Sequence, residues 1–300
     1  MPALRELTVD YVYQEQWGLR GRNLLIMLAI YFGGIGGGLF LVSLFGDYAQ
    51  GALLGVSIAA VGKGFSHIFF LGRPERFWRA VWRPQSSWIS RGFVFFGVFL
   101  VSGLAYLMPA YSGFSWLPWS SQGWLGGIFL RWLSILSAFL TVTYTGFLLG
   151  RSGIPFWNNS LLPALFAGVS LYSGAGLAGF FVRLISEAKS NRVLFEQLAL
   201  WSGLAVLAML AFYLMGSHSF NPASQRSVRY LALNRGTAWW FYGLFLALGL
   251  CLPLAVYATH TLFSPVADEV LMAVEVIEVL IGALLFRYIF FRGGIFLPVY

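Results

Sequence analysis

Long apolar segments separated by short polar ones run through the whole sequence. Eight of them are long enough to cross the hydrocarbon core of a bilayer as a helix, which takes about 20 residues. Strict alternation of apolar and polar residues, which marks the strands of a membrane barrel, does not recur. The pattern therefore predicts a single all-α membrane domain over residues 1–300. The predicted spans are 24–45, 50–71, 92–109, 125–149, 161–185, 198–216, 239–262 and 270–291.

Eight spans can form two four-helix bundles, and we expect that arrangement, although no internal repeat is visible. Apolar residues make up 59% of the chain and charged residues 10%, with a mean hydropathy of +0.76. Soluble domains carry about 25% charged residues, so this is an integral membrane protein. Residues 1–22 are polar and lack the apolar core of a cleavable signal peptide. The first span is expected to act as the insertion signal.

The cysteine and histidine content restricts the chemistry of the chain. It has one cysteine, Cys251, and three histidines. An iron–sulfur cluster needs about four thiolates, and structural zinc needs several Cys or His ligands. We therefore expect no metal site or redox cluster in this chain, and any redox metal to belong to another subunit. The pI of 9.8 does not indicate nucleic-acid binding, because the basic residues cluster in membrane-flanking loops.

The distribution of basic residues predicts the orientation. An even number of spans places both termini on one side of the membrane. That side carries 14 of the 19 Lys and Arg residues, the opposite side carries four, and Lys63 lies inside span two. By the positive-inside rule, both termini and the loop between spans two and three are cytoplasmic. The expected location is the cytoplasmic (inner) membrane.

Residues 67–91, with the sequence HIFFLGRPERFWRAVWRPQSSWISR, form a basic hairpin between spans two and three. It contains five arginines, three tryptophans and one acid, Glu75. One interpretation is anchorage, with Trp at the membrane interface and Arg among the lipid headgroups. The other is a docking surface for a partner protein. The residues assigned to docking are Arg73, Arg76, Arg79 and Arg83.

Two glycine-rich segments lie inside predicted spans. Gly33 to Gly38 places small residues four apart, which favours close helix packing. Residues 174–179, with the sequence GAGLAG, match the dinucleotide-binding fingerprint in form. That fingerprint needs a preceding strand and a helix start at the glycines, whereas this segment is in the middle of a span. We interpret both segments as packing sites.

Charged residues within spans cost about 2.5–3.5 kcal/mol each at the bilayer centre, so each one needs an explanation. Lys63 is in span two, and Glu275 and Glu278 share one face of span eight. These residues either form structural ion pairs, with Lys63 or Arg183 as the cation, or provide a proton route through Lys63, Glu275 and Glu278. Arg287 is expected to extend to the membrane surface.

His67 and Tyr144 are predicted at similar depths below the basic side. His67 is one turn inside span two, and Tyr144 is about 8 Å along span four from its end. The unperturbed pKa of histidine lies near neutrality, so His67 is suited to exchange a proton with a quinol hydroxyl. An alternative for Tyr144 is an interfacial belt tyrosine. A tyrosine, a histidine and an arginine-lined mouth would suit a quinone.

Four sequence elements resemble the polysulfide reductase/NrfD family of membrane subunits, which includes PsrC-like proteins and the anchors of dimethyl-sulfoxide-reductase type. They are LGRPERFW at 71–78, SSWISR at 86–91, YTG at 144–146 and PFWN at 155–158. The resemblance implies a haem-free anchor of eight spans that binds quinone or menaquinone. It also implies a ferredoxin-type iron–sulfur partner, which exchanges electrons with a molybdopterin catalytic subunit. Tyr144 would line the quinone pocket near the docking face.

The chain departs from this family pattern at two places. Sulfoxide-reductase-type members have a histidine directly before the LGxP motif, where this chain has Phe70 and, three residues earlier, His67. Some members also have a histidine early in span one, and here the nearby polar residue is Asn23. The predicted quinone-binding residues are His67, Tyr144, Arg73 and Asn23.

Two other functions fit parts of the sequence. A proton or solute transporter would use the buried charges Lys63, Glu275 and Glu278 and would work without a partner. A haem-bearing quinol oxidoreductase subunit would hold one haem between His67 and His218, which share a side. The preferred interpretation is the quinone-reactive subunit of a molybdopterin oxidoreductase complex.

Overall fold

The computed structural model describes residues 12–13, 21, 23–71, 73–114, 116–120, 122–185, 190–263 and 269–296. This part of the chain is almost entirely helical and contains eight long helices, numbered here in chain order. Helices 1 to 8 are Asn23–Phe45, Ala49–Phe70, Trp88–Ala110, Trp124–Gly150, Leu161–Ile185, Ser190–Phe220, Arg235–Thr261 and Glu269–Arg292. A short amphipathic helix, Pro222–Leu233, connects helices 6 and 7.

The prediction of an all-α, multi-span membrane protein is confirmed. Within the described residues, helices 1 to 7 are long and apolar enough to cross a bilayer. Helix 8 has 24 residues, which is also a spanning length, but it carries Glu275, Glu278 and Arg287. Some predicted spans were too short. Helix 3 begins at Trp88 rather than residue 92, because the side chain of Ser87 caps it by accepting from the backbone N–H of Ser90.

The eight helices pack as two four-helix bundles, as expected. Helices 1 to 4 form one ring, in which helix 4 returns to helix 1. Helices 5 to 8 form the second ring, closed by contacts between helices 8 and 5. Helix 1 packs along helix 5 and joins the bundles, and these two are the most buried of the seven candidate spans. Residues on helix 1 therefore contact both bundles.

Glycines permit the close approach of helix 1 to its neighbours, as predicted. A Cβ atom at Gly36 would lie 2.5 Å from the carbonyl oxygen of Gly55 on helix 2. One at Gly38 would lie 1.8 Å from the carbonyl oxygen of Ser170 on helix 5, and Gly174 faces the backbone of Gly38 in return. Both glycine-rich segments are packing sites, and the second of them lies inside helix 5, which excludes the dinucleotide interpretation.

Arg287 is completely buried, so the expectation that it reaches the membrane surface is wrong. Its guanidinium group donates to the carbonyl oxygens of Ile30 at 3.3 Å and Ala283 at 2.6 Å, and to Oγ of Ser170 at 3.3 Å. The group occupies space that Gly34 leaves free, since a Cβ there would lie 1.9 Å from Nη2. These acceptors take the place of water, so the side chain does not need to extend outwards.

Two short strands bring the described parts of the termini together. Val12–Tyr13 pairs antiparallel with Ile295–Phe296, in the register Val12 to Phe296 and Tyr13 to Ile295. Both segments are at the end of the molecule where helix 2 ends and the basic hairpin begins. We call this the hairpin end and the other the opposite end.

Candidate functional site

A cavity of about 300 Å³ lies inside the first bundle near the hairpin end. This volume is at the lower limit of typical small-molecule pockets. Its polar lining groups are Lys63, His67, Tyr144 and Thr145. Most of the wall is apolar and comes from Ile26, Ile30, Phe70, Leu71, Ile89, Phe93, Phe96, Leu148, Leu149 and Phe291. The cavity therefore offers a few convergent polar groups in an apolar enclosure.

Helix 2 contributes two of the polar groups, Lys63 and His67, and its geometry changes locally just before and at Lys63. Residues Ala59–Lys63 form a π-helical turn, and regular α-helix resumes over Gly64–Phe70. Such turns recur at functional sites. Lys63 and His67 are four residues apart and so share a helix face, which here lines the cavity. Nδ1 of His67 lies 3.2 Å from the carbonyl oxygen of Lys63.

Lys63 and Tyr144 form a hydrogen-bonded pair across the bundle. Nζ of Lys63 donates to the hydroxyl oxygen of Tyr144 at 3.1 Å and lies 4.8 Å from the ring centroid. Two glycines make room for the pair. A Cβ atom at Gly33 would lie 2.8 Å from Cδ of Lys63, and one at Gly92 would lie 2.4 Å from the ring of Tyr144. The pair thus depends on helices 1 and 3 as well as on its own helices.

The charge of Lys63 is enclosed by apolar and aromatic groups. Its side chain is 3% exposed, and Nζ lies 5.3 Å from the ring centroid of Phe96. No carboxylate pairs with it among the residues that the structure describes. An ammonium group without a carboxylate partner in such surroundings stabilises negative charge on a nearby oxygen more strongly than it would in water. The Tyr144 hydroxyl oxygen lies within hydrogen-bond distance of this group.

His67 presents the second polar group of the cavity. Its ring packs edge-on against Phe93, with the centroids 5.4 Å apart. A carbonyl oxygen can only accept, so its contact with the Lys63 carbonyl requires a proton on Nδ1. In the neutral ring Nε2 is then an acceptor. The cavity consequently combines a hydroxyl donor at Tyr144 with a nitrogen acceptor at His67.

The predicted binding residues divide into two groups. His67 and Tyr144 line one cavity. Arg73 and Asn23 do not line it. Arg73 is exposed two residues beyond Leu71, which directly follows helix 2 and lines the cavity. Asn23 is the first residue of helix 1, three residues before the lining residue Ile26. Sequence reasoning missed Lys63 as the partner of Tyr144, because pairing across a bundle leaves no local pattern.

The ion pair between Lys63 and the glutamates of helix 8, which was one of two interpretations of these residues, is absent among the described residues. Lys63 and Arg287 reach helix 1 at the adjacent positions Gly33 and Gly34. Glu275 lies twelve residues before Arg287 in helix 8, which is about 18 Å along the axis. The other expected cation, Arg183, instead directs Nη1 to Sδ of Met272 at 2.9 Å. Lys63 and the glutamates therefore belong to different sites.

The basic hairpin presents an exposed surface directly after the cavity wall. Pro74–Val81 forms a 3₁₀ helix. The side chains of Trp78 and Trp82 are exposed and meet edge-on, with centroids 6.3 Å apart. The four arginines assigned to docking, namely Arg73, Arg76, Arg79 and Arg83, are all exposed. We call this group, with the two tryptophans, the basic surface.

The SSWISR element fixes the hairpin to the bundle. Arg91 donates from Nε to the carbonyl oxygen of Pro84 and from Nη2 to that of Gln85, both at 2.7 Å. Its guanidinium group also lies 4.6 Å from the ring of Trp88, which stacks on Phe147 of helix 4. The motif therefore has a structural role, since it holds the basic surface against helices 3 and 4.

The PFWN element likewise connects helices. Nε1 of Trp157 donates to the carbonyl oxygen of Phe290 on helix 8 at 2.7 Å. The Tyr213 hydroxyl on helix 6 donates to the carbonyl oxygen of Phe156. Both contacts are buried, and they join the loop before helix 5 to two other helices of the second bundle.

The fold and the site define a class of protein: a multi-pass helical membrane protein with a largely apolar internal cavity, which contains a few polar groups, beneath a basic surface. The sequence profile of the NrfD family, described as polysulphide reductase, NrfD, matches residues 17–298. The chain belongs to this family, and the resemblance stated from its motifs is confirmed.

Two curated relatives support this membership. Protein NrfD of Escherichia coli (strain K12) is 29% identical over 211 residues, which cover 62% of this chain and 64% of that protein. One sulfite dehydrogenase subunit, from Allochromatium vinosum, is 36% identical over 73 residues, which cover 24% of this chain and 21% of that protein. In both cases the match spans less than two thirds of the relative. By its family and fold, this chain is a multi-pass membrane protein of the NrfD family.

Proposed function

We propose that this chain is the quinone-reactive membrane subunit of an oxidoreductase complex in the cytoplasmic membrane. In this proposal it binds a quinone such as menaquinone, or the quinol, in the cavity of the first bundle. A ferredoxin-type iron–sulfur subunit exchanges electrons with it and with a molybdopterin catalytic subunit. The observation that carries the proposal is the convergence of Lys63, His67 and Tyr144 on one apolar cavity.

The cavity suits a quinone by shape and chemistry. A quinone headgroup is a flat ring with two oxygen atoms and an apolar tail, so it needs an apolar enclosure with a polar group for each oxygen. Phe93 and Phe96 provide aromatic wall on helix 3. Tyr144 can donate to one oxygen, and Nε2 of His67 can accept from the hydroxyl of the quinol at the other.

The polar groups also suit proton exchange. Oxidation of a quinol releases two electrons and two protons, and reduction of a quinone takes them up. In reduction, Tyr144 gives its hydroxyl proton to one carbonyl oxygen and a protonated His67 gives the second proton to the other, while Lys63 stabilises the negative charge left on the Tyr144 oxygen. In oxidation, the same two atoms take the protons back from the two quinol hydroxyls, with Nε2 of His67 acting as a general base. The same three residues therefore serve either direction of electron flow.

The basic surface supports the assignment of a protein partner. Its exposed arginines favour a partner with acidic groups, since Arg forms bidentate hydrogen bonds with carboxylates. Trp78 and Trp82 add exposed aromatic area, and Trp and Arg are enriched in the binding centres of interfaces. The surface begins two residues after Leu71 of the cavity wall. An iron–sulfur subunit bound here would be close to a quinone in the cavity.

The test is purification of the tagged full-length chain in a mild detergent, with metal analysis of the proteins that accompany it. Recovery with an iron–sulfur protein and a molybdenum or tungsten subunit is the expected result. Recovery of the chain alone, active in a proton or solute flux assay, would contradict the proposal and favour the transporter. An absorption spectrum of the same sample tests the third alternative, since a Soret band would indicate bound haem.

A further inference from the structure

A second polar cavity lies at the opposite end of the molecule, inside the second bundle. It is small, about 10 Å³, and its titratable lining groups are Glu196, Tyr257 and Glu275. These residues come from helix 6 near its start, helix 7 near its end and helix 8 near its start. Gly176 of helix 5 makes room for the tyrosine, since a Cβ there would lie 3.0 Å from the Tyr257 hydroxyl.

Glu275 lines this cavity with a buried carboxyl group. Its side chain is 3% exposed, and Oε1 has no partner among the described residues. The Tyr257 hydroxyl, also 3% exposed, has none in the same part of the chain. An ionised carboxylate buried in this way is strongly disfavoured, whereas a protonated carboxyl group is neutral and can donate a hydrogen bond.

Glu196 differs from Glu275 because it is paired. Its Oε1 accepts from Nε of Arg192 at 2.6 Å, and the Arg192 side chain is partly exposed. Nδ1 of His260 lies 3.8 Å from the same oxygen. Glu196 therefore has a salt-bridge partner that Glu275 lacks, and its carboxylate disfavours a second negative charge on the neighbouring carboxyl group.

The charged and titratable groups around the cavity come from all four helices of the bundle. They are Tyr172 and Arg183 on helix 5, Arg192 and Glu196 on helix 6, Tyr257 and His260 on helix 7, and Glu275 and Glu278 on helix 8. The Tyr172 hydroxyl donates to the carbonyl oxygen of Gly249 at 3.4 Å. Glu278, one turn beyond Glu275, is partly exposed and does not line the cavity.

We propose that Glu275 and Glu196 form a proton-binding site at the opposite end of the protein from the quinone-type cavity. Glu275 holds the proton as a neutral carboxyl group, and the partly exposed Arg192–Glu196 pair with His260 connects it to the surface. The volume is about that of a single water, which leaves room for a proton on the carboxyl group but not for an organic ligand. This proposal does not depend on what binds at Tyr144.

Infrared spectroscopy of the purified full-length chain tests the site directly. A protonated carboxyl group absorbs at a higher C=O stretching frequency than a carboxylate, and its band shifts when H₂O is replaced by D₂O. We expect a protonated-carboxyl band at pH 7 in the wild-type protein that disappears in Glu275→Gln. The matched control, Glu278→Gln, should retain it. Loss of only carboxylate bands in Glu275→Gln would overturn the proposal.

A second variant keeps the test decisive if Glu275→Gln does not fold. In Glu196→Gln the negative charge beside Glu275 is removed while Arg192 remains. Glu275 should then lose its proton, and the protonated-carboxyl band should disappear, at a lower pH than in the wild type. An unchanged midpoint would contradict a site shared by the two glutamates. Sodium chloride added at constant pH separates the two possible occupants. If it abolishes the wild-type band, the site binds a cation instead of a proton and the proposal is wrong.

Discussion

Lys63 and Tyr144 are 81 positions apart in the sequence and joined by a 3.1 Å hydrogen bond inside the first bundle. Neither residue is arranged by its own helix alone. The ammonium group passes Gly33 of helix 1, and the phenol ring lies against Gly92 of helix 3. The pair therefore requires all four helices of the bundle, which makes it a sensitive point for testing the proposed quinone chemistry.

We expect Tyr144→Phe to reduce quinol turnover by roughly 10²-fold while the complex still assembles, since one positioned proton-transfer group typically contributes 10²–10⁴-fold. The phenylalanine ring fills the same space but cannot donate to the quinone oxygen. Steady-state turnover of the purified complex measures the effect. Tyr242→Phe, at an exposed tyrosine on helix 7, is the control and should leave turnover unchanged. Unchanged turnover in Tyr144→Phe would remove Tyr144 from the site.

Lys63→Met should lower turnover through the same hydrogen bond. Methionine keeps much of the length of the buried side chain but removes the charge that stabilises the oxygen at Tyr144. Residues that act as one unit are not additive, so the double variant with Tyr144→Phe should be little worse than the more impaired single variant. Fully multiplicative losses would show that the two side chains act separately. The expected thermal stability is close to wild type, since buried charges can often be replaced by apolar groups of similar volume.

His67→Gln tests the proton acceptor. The amide keeps polar atoms near the cavity but cannot take up a proton, so quinol oxidation should fall. His218→Gln is the control, because His218 lies at the end of helix 6, beside Gln225. Unchanged quinol oxidation in His67→Gln would contradict the assignment.

The sequence predicted local and periodic features well and cross-helix partners poorly. Span positions follow from apolar length, and the glycines of helix 1 indicate close packing by their spacing alone. The depth of His67 and Tyr144 could also be counted from helix ends. By contrast, the place of Lys63 depends on a partner in another helix, and the same holds for Arg287. Sequence reasoning expected Arg287 at the surface because the sequence does not show its hydrogen-bond acceptors. These are backbone and serine oxygens on three different helices.

Gly34→Ala should destabilise the protein through Arg287. The added methyl group would lie 1.9 Å from Nη2, so the guanidinium group must leave its acceptors or the helices must separate. Overpacking of this kind typically costs about 1–3 kcal/mol. Gly97→Ala on helix 3 is the control, since a Cβ atom there would have nothing within 4 Å and alanine is the better helix former. Thermal unfolding in detergent should show a lower midpoint for Gly34→Ala alone, and equal midpoints would contradict the packing described.

Charge reversal on the basic surface tests where the partner binds. Arg76→Glu and Arg79→Glu should each weaken co-purification of the iron–sulfur subunit, and the double variant should weaken it further, because a repulsive charge replaces an attractive one. Retention in the wild type should also fall as salt rises, since exposed charges are screened.

Arg229→Glu is the matched control: it lies exposed on the Pro222–Leu233 helix at the same end of the molecule but outside the basic surface. Equal loss in Arg229→Glu would indicate a general effect of charge at this end, and full retention in the Arg76 and Arg79 variants would assign the hairpin to membrane anchorage instead. A partner that binds through this surface would dissociate in the variants while the hairpin, held by Arg91 and Trp88, keeps its position against helices 3 and 4.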